Sequence, residues 1–320
     1  MKVQGVSRSF KEFKEFQKYL CLLMVAVALL SACGPSKEEA RRLSRAERQR
    51  LAREDSAALK VGVLPTMDCL PIFLAKERRL FDTLGVDIRP KAFTAQLDAE
   101  EALRKGRIEG CMGDVVRAER LMKRGMQLRY VAATNTYWQF ISNRKARVRE
   151  LRQMTDKMVA MSNHSATDML AQMCIDSAKL KRDDVFRVPV NDVNIRLLML
   201  KNNEMDAMML TEPQAAEARL FKNPVLMDTR KKDLLMGAIY FNEKALKGKD
   251  RQKQMEAFVK AYNMACDSLN RNGLKPYADI IWKYMKADKE VVEELPKMNF
   301  PHAAKPRQKD IDAARRWLGK

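Results

Sequence analysis

The sequence predicts an α/β protein of two similar lobes. Each lobe is a mostly parallel sheet flanked by helices, and a hinge joins the two with a ligand cleft between them. Three observations carry this. First, "LRKGRIEGCMGDVV" (103–116) is matched without gaps by "LKNNEMDAMMLTEP" (200–213): Leu103 falls on Leu200, Ile108 on Met205, Glu109 on Asp206 and Met112 on Met209. Second, strand-like runs alternate with helix-length stretches from Leu59 onward, which argues α/β. Third, polar residues close several of the strand-like runs, where open parallel sheets receive ligands.

Residues 1–32 read as a secretory signal. Lys2, Arg8, Lys11, Lys14 and Lys18 precede "LCLLMVAVALLSA", an apolar run shorter than the roughly 20 residues of a spanning helix. "LSAC" (30–33) resembles the bacterial lipobox, so the resemblance implies a lipoprotein signal peptide and acylation (palmitate among the acyl groups) of Cys33. Several acyl chains anchor stably where one is marginal. Cys33 would then hold an extracytoplasmic protein to a bacterial cell membrane, on the periplasmic side. Residues 33–58 are charged and nearly free of large apolar side chains, and read as a solvated tether. A docked N-terminal helix is the other arrangement open to them.

The first lobe opens with a strand in "LKVGVLPTMD" (59–68). A helix follows in 70–85, with Gly85 as its stop. "VDIRPKAF" is the next strand, 94–108 the next helix, and "EGCMGDV" a short buried strand. This β-α-β-α-β order suits right-handed crossovers in a parallel sheet. "QLRYVAATNTYWQFISN" (127–143) brings more strand. The order then restarts: strand 156–163, helix 165–180, strand 185–190, helix 191–205 and strand "DAMMLTEP". The repeated line is thus the step from second helix to third strand in each of two like-built lobes. "LLMGAIYFN" (234–242) offers another strand. Helical stretches at 250–272 and 275–285 follow, and "QKDIDAARRWLGK" is weakly amphipathic. The expected limits are 59–140 with 238–320 for one lobe and 141–237 for the other.

Candidate ligand contacts follow from the strand ends. Met67 and Asp68 follow the first strand, and Asp114 the third. Ser165 and Thr167 open a helix of the second lobe, where free amides hold an anion, and either also serves as a cap. Thr211 and Glu212 end a strand, and Tyr137 and Trp138 lie near the crossing between lobes. Asp114 is equally a helix cap, Glu212 a loop-shaping residue, and either aromatic a core residue. No catalytic set emerges: there is no phosphate loop, no Gly-x-Ser-x-Gly and no metal-ligand spacing. His164 and His302 stand alone, so no enzyme, cofactor or metal is expected.

The net charge is +20, of which the first 32 residues supply +3. Such an excess allows an anionic partner, and a solvated basic surface beside anionic lipid is the plain reading. Without an aromatic RNA-binding motif or zinc spacing, nucleic acid is not expected as a partner. Cys69, Cys111, Cys174 and Cys266 are widely and irregularly spaced; Cys111 and Cys174 read as small buried hydrophobes.

"LKVGVLPTMDCLPIFLAKERRLFDTLGVDI" and "KNNEMDAMMLTEP" resemble the substrate-binding proteins of ABC importers, in the branch that takes taurine, aliphatic sulfonates, nitrate and thiamine-pyrimidine precursors. Ala75, Leu80-Phe81 and Gly85-Val86 match the family's opening, and Asp206-Ala207 with Glu212-Pro213 its later motif. The likeness covers roughly 59–240. It implies a type II periplasmic binding protein, working as a monomer with a permease. Its lobes would close on an aminopyrimidine-like, sulfonate or nitrate ligand. The contacts it implies are Met67-Asp68, Gly113-Asp114, Ser165-Ala166-Thr167 and Glu212-Pro213. Arg79 stands where the family has Gly, and the first helix opens with "CLP" in place of small polar residues. An enzyme on the same fold and a degenerate receptor lipoprotein without a transport role are the competing expectations.

Overall fold

A computed structural model describes residues 45–319. The expected signal peptide, Cys33 and the first part of the tether lie outside them. Helix α1 (Arg45–Ala57) continues the charged stretch. Its Leu51 is exposed, and Arg50 pairs with Glu54 one turn on. The compact body begins at Ala57.

The body opens with β1 (Leu59–Val63), α2 (Leu70–Glu77), α3 (Leu80–Thr83), β2 (Ile88–Ala92), α4 (Gln96–Arg104), β3 (Gly110–Asp114), α5 (Val115–Lys123) and β4 (Leu128–Ala133). All of β1 is buried, as a strand covered on both faces must be. Pro71 sits in the first turn of α2, where its missing N–H costs nothing. Arg79 takes a left-handed backbone with φ 54° ahead of α3.

The second set follows as β5 (Gln139–Ser142), β6 (Lys157–Met161), α6 (Ala166–Ser177), β7 (Val185–Pro189), α7 (Val193–Lys201), β8 (Ala207–Leu210), α8 (Gln214–Leu220) and β9 (Val225–Asp228). Then β10 (Gly237–Asn242) leads to α9 (Lys249–Asn272), α10 (Ala278–Met285), α11 (Lys289–Glu294) and α12 (Gln308–Leu318).

The strands form two five-stranded sheets of like order, β2-β1-β3-β10-β4 and β7-β6-β8-β5-β9. In each, three neighbouring strands are parallel and the fourth is antiparallel: β10 in the first sheet, β5 in the second. This is the two-lobed, mostly parallel architecture that the repeat implies. The repeated line falls where it should: Leu103 and Leu200 are buried helix residues, Met112 and Met209 buried strand residues.

The strand-like run 127–143 is not one strand. It breaks at 134–138, because β4 belongs to the first sheet and β5 to the second. The chain returns through 229–236, between β9 and β10. The two crossings lie side by side: the Trp138 amide donates to Thr229 Oγ1, and the Thr229 amide to the Trp138 carbonyl, both at 3.0 Å. A side chain at Gly237 would run into the hydroxyls of Thr134 and Thr136, so the start of β10 must be glycine for close approach.

The C-terminal tail of "weakly amphipathic" pattern folds as α12, burying Ile311 and Ala314. Cys69, Cys111, Cys174 and Cys266 are free and buried. Burial pushes the Cys111 and Cys174 thiols up to about 12. The first lobe's core centres on Phe258, which lies 6.3 Å from Phe81, 5.4 Å from Phe241 and 6.3 Å from Tyr262, ring centre to ring centre. Phe258→Ala should lower unfolding free energy by about 3–5 kcal/mol in denaturant titration. A loss below about 1 kcal/mol would mean this cluster does not hold the lobe.

Candidate functional site

A cavity of about 30 Å3 lies between the lobes. One water needs ~10–15 Å3 by this measure, so there is room for about two. The first lobe supplies Thr66, Asp68 and Gln96, and the first crossing Thr136 and Trp138. The second lobe supplies Ser162, Thr167, Asn191, Arg196 and Thr211. These are the carboxyl ends of strands and the helix starts that follow them, as expected for facing parallel sheets.

The lobes meet closely around it. The Met67 amide donates to the Glu212 carbonyl, and Gln214 Nε2 to the Pro65 carbonyl, each at 2.9 Å. Arg117 on α5 reaches across to Ser162 Oγ at 2.9 Å and the Asn163 carbonyl at 3.3 Å. On its own side Arg117 pairs with Glu100 at 2.7 Å.

Two buried charges of the cavity differ in what satisfies them. Asp68 accepts from Thr66 and Thr136 at its two carboxylate oxygens, with Thr134 at 3.4 Å. Burial raises its pKa above the usual range, against the pull of these threonines. Arg196, one turn into α7, is 6% exposed, yet its Nε and Nη1 are buried without a hydrogen-bond partner. Burial pulls its guanidinium down to about 10, with Asp192 opposing and Arg117 adding to the fall. A buried guanidinium with idle donors demands an acceptor. Sequence reasoning missed Arg196. The signal available was an inverted helix, since Ile195 and Leu198 beside it are 50% and 53% exposed.

Of the residues expected at the ligand, Asp68, Trp138, Thr167 and Thr211 line the cavity. Others are engaged elsewhere. Ser165 caps α6, accepting from the Thr167 amide at 3.1 Å, and Ala166 begins that helix. Asp114 caps α5, accepting from the Arg117 amide at 2.9 Å. Gly113 lies against the Tyr240 hydroxyl. Glu212 is already engaged: Tyr137 of the first crossing donates to it at 2.6 Å, Arg219 at 2.7 Å and the Ala216 amide at 2.8 Å. Pro213 is the buried residue ahead of α8, and Met67 packs in the first lobe's core. His164 donates its amide to Asp168 and takes a left-handed backbone at φ 54°. Among the described residues, no group of His, Cys, Asp and Glu is placed to hold a metal, and no helix is long and apolar enough to cross a membrane.

The model of the NMT1-like family matches residues 52–278. No curated protein matches the sequence. The fold is that of an alkanesulfonate-binding protein, SsuA from Xanthomonas axonopodis pv. citri, solved bound to MOPS. That chain is 17% identical, with a TM-score of 0.70 over 82% of this chain and 91% of that one. The periplasmic nitrate-binding protein NrtA from Synechocystis PCC 6803 is 15% identical, with a TM-score of 0.65 over 78% and 74%. PhnD1 from Prochlorococcus marinus, in complex with methylphosphonate, is 12% identical, with a TM-score of 0.56 over 83% and 99%.

Burial pushes the Asp114 carboxyl up to about 6, the Arg117 guanidinium opposing. The folded protein therefore holds this proton more tightly than the unfolded chain does. Its contribution to stability is present below about pH 4 and is lost as pH rises to about 6. Asp114→Asn keeps a capping side chain. Measured by denaturant titration from pH 4 to 7, the variant should gain stability relative to the parent as pH rises. A constant difference across that range would show that Asp114 does not titrate there.

Proposed function

The chain belongs to the NMT1-like family, and from that premise we propose that it is the extracytoplasmic solute-binding subunit of an ABC importer. It captures a compact oxyanion by closure of its lobes and hands it to the permease. The idle donors of Arg196 carry the reading. Arg196 lines a cavity that also presents Thr167, Asn191 and Thr211, side chains able to hydrogen-bond an oxyanion around the charge. The ligands named for the structural neighbours, an alkanesulfonate class, nitrate and methylphosphonate, are oxyanions too. An aminopyrimidine fits less well, because the carboxylate that would accept its amine, Asp68, is already taken by threonines.

The moving bodies are residues 59–140 with 238–320, and 141–237, turning about the crossings at 134–138 and 229–236. The role is one of binding, without catalysis, cofactor or metal, and the protein works as a monomer. Acyl chains on Cys33 hold it to the membrane.

Thermal shift of the full chain against nitrate, sulfate, methylphosphonate, sulfonates of rising tail length and an aminopyrimidine tests this. A compact oxyanion at 100 times its Kd should stabilise by about 2.7 kcal/mol, and the shift should shrink as the tail lengthens. Arg196→Met should abolish the response while the unliganded variant melts no lower, since a lone buried charge is removed. Stabilisation by the aminopyrimidine alone, or an undiminished oxyanion response in Arg196→Met, would overturn the assignment.

A further inference from the structure

We propose that a second pocket, behind the hinge in the second lobe, binds a medium-chain amphiphile with an anionic head, of the fatty-acid type. The pocket measures about 550 Å3. Its walls are α6, β9 and the returning crossing, so closure of the lobes does not enclose it. It is separate from the solute cleft: Trp138 lines the cleft and its neighbour Gln139 this pocket. Adjacent residues of an extended segment point to opposite sides.

The lining has two parts. Leu170, Met173, Leu226 and Leu234 make an apolar wall. Met173 stays 40% exposed there, an uncovered surface that an acyl chain would cover. At the mouth stand Arg230, Lys231 and Lys232. Arg230 is engaged, paired with Asp228 at 2.5 Å and lying 4.2 Å over the Tyr137 ring. That pair also neutralises the carboxylate of the wall, which takes Gln139 Nε2 at 2.8 Å besides. Lys231 and Lys232 are exposed, and neither has an ion-pair partner among the described residues. The charge left over at the mouth is positive. A cationic head is repelled, a polar solute leaves the wall uncovered, and a carboxylate on an alkyl chain satisfies both parts.

The full chain is photolabelled with a diazirine-bearing decanoate and the modified peptides are mapped. Label should fall on residues 170–177 and 225–234. Plain decanoate should compete it away, and decyltrimethylammonium should not. The Lys231→Glu, Lys232→Glu double variant, changed at exposed positions that leave folding intact, should lower labelling about threefold or more. Leu226→Glu should remove it. Label elsewhere in the chain, label undiminished in the double variant, or equal competition by the cationic amphiphile overturns the proposal. So does label from diazirine-bearing phosphatidylglycerol vesicles with none from free decanoate, which would make the occupant a membrane lipid.

Discussion

Two hydrogen bonds between Trp138 and Thr229 pin the crossings of the chain side by side. A single chain that builds two sheets of the same strand order has to pass between them and come back. It does so by exchange: β5 enters the second sheet as its antiparallel strand, and β10 takes that place in the first. Much of the interior is fitted to this ribbon. Thr134 and Thr136 turn their hydroxyls to Asp68, and Gly237 leaves them the space. On the other flank Tyr137 carries Arg230 on its face and donates to Glu212. The connection between the lobes also supplies one wall of the cleft.

Charge is distributed unequally across that cleft. Arg117 is compensated by Glu100 and by acceptors on the far lobe, so it joins the closed halves. Asp68 is compensated by hydroxyls, and Glu212 by a tyrosine, an arginine and an amide. Arg196 has two buried donors without an acceptor, Nε and Nη1, against one on Arg117, its Nε, and Arg196 has no ion-pair partner among the described residues to offset them. In a low-dielectric interior an unpaired charge is costly, and a protein keeps one where something else completes it. An anion, the ligand proposed above, would complete Arg196, although Asp68 lines the same cavity.

The architecture was legible because it is local and repeated. Strand-like runs, helix-length stretches and turn residues alternate in the same order twice, and the gapless match of 103–116 with 200–213 exposes the duplication. Polar side chains at strand ends pointed to one edge of each sheet, and Asp68, Trp138, Thr167 and Thr211 meet in the cavity there. The break inside 127–143 was not legible. An aromatic, β-branched run has the same pattern whether it stays in one sheet or changes sheets, and pairing partners distant in the chain decide that.

The site chemistry divides along the same line. Sequence by itself determined which residues stand at the ends of the strands, since alternation and capping are local. Tertiary structure alone decided which of them remain free to act. Glu212 and Asp114 carry the right groups in the right loops, but neighbours from elsewhere in the chain consume the first and a helix end claims the second. Arg196 reads as an ordinary charged residue in a helix until the fold buries it and leaves Ile195 and Leu198 outside. Burial and hydrogen-bond satisfaction are properties of the whole packed molecule, and they set the affinity of a binding site.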